Sequence, residues 1–213
     1  MKPIIFAYHS ISDDLNDFWS TSPNQFRDDM AYLRDKRYEC MSLMQYYAGV
    51  FDDKSIVLTF DDGYVNFIDN ALPVLNNYGF SATVFIVVGK MGMDSDWRSD
   101  KLRIPLMDWQ DVEYVHANGF EIGSHTMTHP YLTRINQAEA WTEIHDSKTM
   151  IEERIGCAVK SFAYPYCSYN LSVVGIARSV GYNYAVGGGE GNSNHLTLRR
   201  TGIHRSDKIK EIL

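Results

Sequence analysis

Ile56-Val57-Leu58-Thr59-Phe60-Asp61-Asp62-Gly63 sets an apolar run directly against two adjacent carboxylates and a glycine. The run is rich in β-branched and aromatic residues and shows no polar alternation, the pattern of a strand buried on both faces. Such strands belong to parallel sheets, whose crossover helices cover the sheet. Working outward, residues 3–8, 82–88, 120–124, 159–164, 184–186 and 196–203 read as further strands. Between them, residues 23–37 carry Phe26, Met30 and Leu33 at helical spacing, and a helical stretch runs up to Tyr78-Gly79. Another helix is opened by Asp108 with Asp111 and closed at Asn118-Gly119; a long one fits residues 137–155 and ends at Gly156. Strand and helix alternate with no repeats and no linker, which predicts an α/β fold, either an open doubly wound sheet or a barrel.

The 213 residues, 45% hydrophobic, suffice for one substantial core, so a single domain over residues 1–213 is expected. The net charge of −7 and dispersed Lys and Arg residues argue against nucleic acid or an anionic membrane as partner. Cys40, Cys157 and Cys167 form no CxxC pair and leave one over, which favours a reducing compartment. Residues 1–8 lack a signal peptide's long apolar region, and no apolar run approaches the roughly 20 residues of a membrane span. A cytoplasmic location is the expectation; the oligomeric state is left open.

Parallel α/β folds bind ligands at the carboxyl ends of their strands. Those ends carry Asp61-Asp62-Gly63, His125-Thr126-Met127-Thr128-His129, Pro165-Tyr166, His9-Ser10 and His204. Asp-Gly after a strand is by itself ordinary turn chemistry, and His116 and His145, inside helices, read as packing or surface residues. His125 and His129 are different: their spacing lets two imidazoles converge on one ion if the segment makes a single helical turn. Two His and one carboxylate form a site with open positions, and the neighbouring carboxylate is suited to act as a general base. That is equipment for hydrolysing an amide or an ester.

Three stretches, Thr59-Phe60-Asp61-Asp62-Gly63, Ser124-His125-Thr126-Met127-Thr128-His129 and Phe162-Ala163-Tyr164-Pro165-Tyr166, resemble ordered motifs of the polysaccharide deacetylase family. Tyr8-His9-Ser10 and Gly119-Phe120-Glu121-Ile122-Gly123 are similar to it as well, so the resemblance runs from about residue 4 to about residue 205. It implies a distorted (β/α) barrel of about seven parallel strands. It also implies Asp61 as general base, with Asp62, His125 and His129 as ligands of Zn2+ or another divalent transition metal. The backbone N–H of Tyr166 would hold the oxyanion. The implied activity removes N-acetyl groups from an N-acetylated sugar in a polysaccharide, oligosaccharide or glycan precursor.

The sequence departs from the family pattern at three points. Ala163 stands where the third motif usually has an Arg that tethers the catalytic Asp, and Arg199 or Arg200 is the candidate replacement. Cys167 stands where a Gly often follows, and is read as a packing residue. No Asp-x-x-Asp-Trp pattern follows residue 170, so the proton donor is assigned to His204, with His9 and then His195 behind it. Trp97, in the loop 89–105, joins Pro165, Tyr166 and His9 as expected substrate contacts, and Trp19 is a weaker candidate. Two other readings remain: the same chemistry on a cyclic amide or ureide, and a carbohydrate-binding relative without activity. The latter has no need of Asp61, Asp62, His125 and His129 together.

Overall fold

The computed structural model describes residues 3–13, 18–49, 51–98, 102–188 and 194–213. The main sheet is parallel throughout and runs in chain order around a ring: Ile4–Tyr8, Ser55–Phe60, Thr83–Ile86, Glu121–Ser124, Ser161–Ala163 and Tyr184–Gly187. Closure is made by one stretch of chain. Leu198–Arg199 pairs with Tyr184–Gly187, while Thr201–Gly202 pairs with Ile4–Tyr8, and Arg200 lies at the change of partner. The strand expected over residues 196–203 is therefore two short pieces, because each must satisfy a different neighbour. Of the nine strands in the sheet, these two share one position and Glu39–Met41 pairs only with the lower half of Ser55–Phe60. Seven positions around the ring remain, the distorted (β/α) barrel that was expected.

The opening apolar run is explained by two cores. Alternate residues face opposite sides of a strand. Ile5, Val57, Phe85, Ala163, Val186 and Leu198 fill the barrel interior. Phe6, Ile56, Leu58, Phe60, Val84, Ile86 and Ile122 face outward and are covered by helices. Helix Pro23–Asp35 starts at the Ser22 cap and buries Phe26, Met30 and Leu33 in that outer core. Helix Gln137–Ile155 opens with an Asn136/Glu139 capping box and ends at Gly156, whose φ of 68° needs a residue without a side chain. The helical stretch before Gly79 is split into a π-helical turn, Phe67–Ala71, and an α-helix, Leu72–Tyr78, with Pro73 at its start.

Several elements were not read from the sequence. Strand Glu39–Met41 leads into the short helix Leu43–Tyr47, which plugs the lower mouth of the barrel by placing Leu43 and Tyr46 in the interior cluster. Helix Leu171–Val180, capped by Asn170 and closed at Gly181, covers the far side, and Ile209–Ile212 ends the chain. The stretch 187–194, whose glycine-rich sequence predicts a mobile loop, lies largely outside the described residues. Among the described residues, no helix is long and apolar enough to cross a membrane.

Candidate metal centre and its cleft

The upper rim is shaped by backbone in unusual conformations. Along Ser55–Phe60, Val57 and Thr59 face inward, and the alternation carries Asp61 over the barrel mouth. Asp62 would then point away, but its φ of 74° turns the chain so that both carboxylates line the same cleft. Gly63 follows at φ 73°, where an added Cβ would lie 3.0 Å from Ile86 Cγ2, so Asp-Asp-Gly is required by the turn as well as by the chemistry.

His125 and His129 converge as expected, but not through a helical turn. Residues 125–129 are irregular, with Thr126 at φ 73° and His129 at φ 61°. The segment is braced by side chains: His129 N–H donates to Thr126 Oγ1 at 3.0 Å, and the N–H groups of Met127 and Thr128 donate to Glu143 Oε2 at 2.9 and 2.8 Å. Glu143, on the long helix, thus supplies the acceptor that a helical turn would have found in its own backbone.

Asp62, His125 and His129 are buried, and one ligand atom from each lies within 4.8 Å of the others. Asp62 Oδ1 stands 3.3 Å from His129 Nε2 and 3.6 Å from His125 Nε2, with no hydrogen-bond partner. A tetrahedral ion with bonds of about 2.0–2.1 Å separates its ligand atoms by roughly 3.3 Å, so the spacing and the orphaned oxygen fit a divalent metal. His125 Nδ1 is 2.8 Å from the Ala163 carbonyl, which leaves Nε2 directed at the site. Burial, against the pull of the Asp61 charge, brings the His125 pKa down to about 4, so its ring is neutral and able to ligate. Burial opposes ionisation of Asp62, yet His129, His9 and His125 hold its carboxyl well below the usual range.

Asp61 has a different environment. Arg200 grips it with two hydrogen bonds, Nη1 to Oδ1 and Nη2 to Oδ2, each 2.6 Å, and Nη1 also donates to Thr59 Oγ1 at 3.0 Å. Both residues are buried. Burial pushes the Asp61 pKa up, but the Arg200 charge outweighs it and the carboxyl ionises below its ordinary value. Arg200 reaches this point from the closing stretch, with its guanidinium 5.8 Å from the Phe85 ring centre, and small Ala163 leaves the interior free for it. Arg199 is exposed.

The cleft above these groups has a volume near 900 Å³ and is walled by aromatic residues. On one side, His204 sits between Phe18 and Trp19, ring centres 4.1 and 4.6 Å away, and its Nδ1 lies 2.8 Å from Asp207 Oδ2. Asp207 went unnoticed in the sequence, although it lies only three residues beyond His204. His9 lines the same side, with Nε2 3.9 Å from Asp61 Oδ2. Trp97 and Tyr166 form the opposite wall with Tyr131, whose ring stacks on Tyr166 at 3.7 Å. Pro165 is buried and lies outside the cleft lining; it enters the turn that presents Tyr166 at φ 55°. Cys167 is exposed on the cleft wall rather than packed inside. His195 is exposed and His116 and His145 sit on helices, none of them in the cleft lining.

The profile of the family described as polysaccharide deacetylase matches residues 48–185, and the chain belongs to that family. YxkH of Bacillus subtilis, named provisionally as a polysaccharide deacetylase, is 27% identical over 187 residues, covering 85% of this chain and 63% of that protein. The poly-β-1,6-N-acetyl-D-glucosamine N-deacetylase of Staphylococcus aureus (strain MRSA252) is 23% identical over 197 residues, 86% of this chain and 66% of that protein. The chain thus spans just under two thirds of the length of these relatives. In fold it is similar to the Streptococcus pyogenes deacetylase PplD, solved in complex with acetate. The TM-score is 0.85 at 23% identity, over 100% of this chain and 96% of that one.

Proposed function

We propose that this member of the polysaccharide deacetylase family hydrolyses the N-acetyl group of an N-acetylated sugar within a glycan. The observation that carries the reading is the division of labour between neighbouring carboxylates: Asp62 turned toward two imidazoles, Asp61 tied to Arg200. Asp62, His125 and His129 would hold a divalent ion, with Zn2+ suited to a two-His, one-carboxylate set. Such an ion, when bound, supplies Lewis acidity to the acetyl carbonyl and acidifies water.

The chain's own groups account for the proton movements. Asp61, kept ionised by Arg200, takes a proton from water as its oxygen bonds to the acetyl carbon. The backbone N–H of Tyr166, at the cleft wall, would hold the developing oxyanion. His204, oriented through Nδ1 by Asp207, gives its Nε2 proton to the leaving nitrogen as the C–N bond breaks, yielding acetate and an amino sugar. Exposed Phe18, Trp19, Tyr131 and Tyr166 suit the flat faces of sugar rings better than a small closed cyclic amide. The test is acetate release from N-acetylated oligosaccharides and polysaccharides, with Asp61→Asn as control. Acetate from a glycan with wild type and little with the variant is the expected result. No acetate from any glycan, with turnover of a cyclic ureide instead, would overturn it.

A further inference from the structure

The two imidazoles of the centre are held in place by different means. His125 has the usual support of a ligating His, a hydrogen bond between Nδ1 and a backbone carbonyl, here Ala163 at 2.8 Å. His129 lacks it: its Nδ1 is buried with no hydrogen-bond partner among the described residues. Its ring is instead enclosed by aromatic faces. The Trp97 indole lies 4.5 Å away at an interplanar angle of 25°, stacked on it, and the Tyr166 ring meets it edge-on at 4.6 Å and 68°. The Tyr166 hydroxyl donates to the Trp97 carbonyl at 3.2 Å, tying the two enclosing residues to each other.

The loop that delivers Trp97 is anchored. Trp97 and Leu102 pack on a small cluster of Tyr64, Ile104 and Leu106, and Leu106 N–H donates to the Met93 carbonyl at 2.8 Å. Arg103 Nη1 donates to the Ser95 carbonyl at 3.0 Å. A stacked indole on such a support fixes the plane of an imidazole, which is what a hydrogen bond at Nδ1 would otherwise do. One indole face is therefore occupied by the protein itself, and this face is not open to a sugar.

We infer that Trp97, locked by the Tyr166 hydroxyl, is a positioning residue for the metal ligand His129, and that it governs retention of the ion more than binding of the sugar. This rests on the metal centre proposed above. The experiment is competition for Zn2+ between the protein and a chromophoric chelator, with wild type, Trp97→Ala, Trp97→Phe and Tyr166→Phe. Losing a partner that orients a ligand typically weakens metal affinity by about 10–100-fold, and Trp97→Ala should fall in that range. Trp97→Phe, which keeps a stacking ring, should recover most of the loss, and Tyr166→Phe should show a smaller weakening. With Zn2+ in excess, the KM of Trp97→Ala for an N-acetylated oligosaccharide should stay near that of wild type. Unchanged Zn2+ affinity with a raised KM would overturn the inference and return Trp97 to sugar binding. Should Trp97→Ala fail to fold, Tyr166→Phe decides, and wild-type Zn2+ affinity in it would remove the clamp. A wild-type protein that binds Zn2+ tightly yet releases no acetate would sink the proposed activity and leave the clamp standing.

Discussion

At the lower end of the barrel, Glu121 is buried among three donors. Its Oε2 accepts from Met44 N–H at 2.8 Å and Thr83 Oγ1 at 2.7 Å, and its Oε1 from the Ser161 hydroxyl. At the upper end, Asp62 is equally buried but its Oδ1 has no hydrogen-bond partner, and the neighbouring imidazoles stand off at 3.3 and 3.6 Å. A buried carboxylate oxygen without a donor is costly, so a fold keeps one where something else can complete it. Glu121 fastens the plug helix Leu43–Tyr47 to the strands and is a structural acid. Asp62, under the function proposed above, would be completed by an ion held with His125 and His129. Asp61 stands between these cases, satisfied like Glu121 by Arg200 yet open to the cleft like Asp62.

The sharpest way to break this contrast is at Asp61. Asp61→Asn should leave metal content close to wild type while lowering turnover by roughly 10²–10⁴-fold, the usual loss of a positioned base. A variant stripped of metal would mean that both carboxylates serve as ligands.

Arg200→Met probes the intermediate case. Arg200 lowers the Asp61 pKa against the upward push of burial, so the pair contributes stability above the unfolded carboxylate pKa and loses it as pH falls through the folded value. Without the guanidinium the upward push of burial is opposed only by His125 and His9. The acid limb of the kcat/KM profile should move to higher pH, and stability at neutral pH should drop by about 3–5 kcal/mol, as when a buried pair loses one partner. An unmoved acid limb in a folded variant would show that Asp61 is not the group titrating.

The lower end should give the smallest effect on chemistry. Glu121→Gln keeps the shape but turns one acceptor into a donor facing donors, for a loss of about 1–3 kcal/mol in denaturant unfolding. Its turnover per folded molecule should match wild type. A large drop in kcat without loss of stability would contradict the assignment of Glu121 to the fold alone.

Much of the upper end was legible in sequence because strand ends and turn residues are local signals. The two-sided apolar run of Ser55–Phe60 adjoins the Asp-Asp-Gly turn, and the two histidines of the pair are only four residues apart. What escaped needed long-range information. The 125–129 turn depends on Glu143, sixteen residues beyond Met127, so the two histidines converge without the helical turn their spacing would have allowed. Sequence left the tether of Asp61 open between Arg199 and Arg200. Which of the two enters the barrel is settled by the change of strand partner at Arg200, a property of ring closure. The plug helix is five residues long, and although its Ser42/Gln45 capping box is visible, nothing local says that it stoppers a barrel. The Asp207 partner of His204 is only three residues along, in a spacing that does not match the Asp-x-x-Asp-Trp pattern.

The orphaned Oδ1 of Asp62 points to a metal ion held with His125 and His129. Elemental analysis of purified wild type and of the His125→Ala, His129→Ala double variant, both confirmed folded by circular dichroism, tests it most directly. About one equivalent of divalent metal is expected in the wild type and almost none in the variant, since two of three ligands are gone. Stoichiometric metal retained by the folded double variant would contradict it.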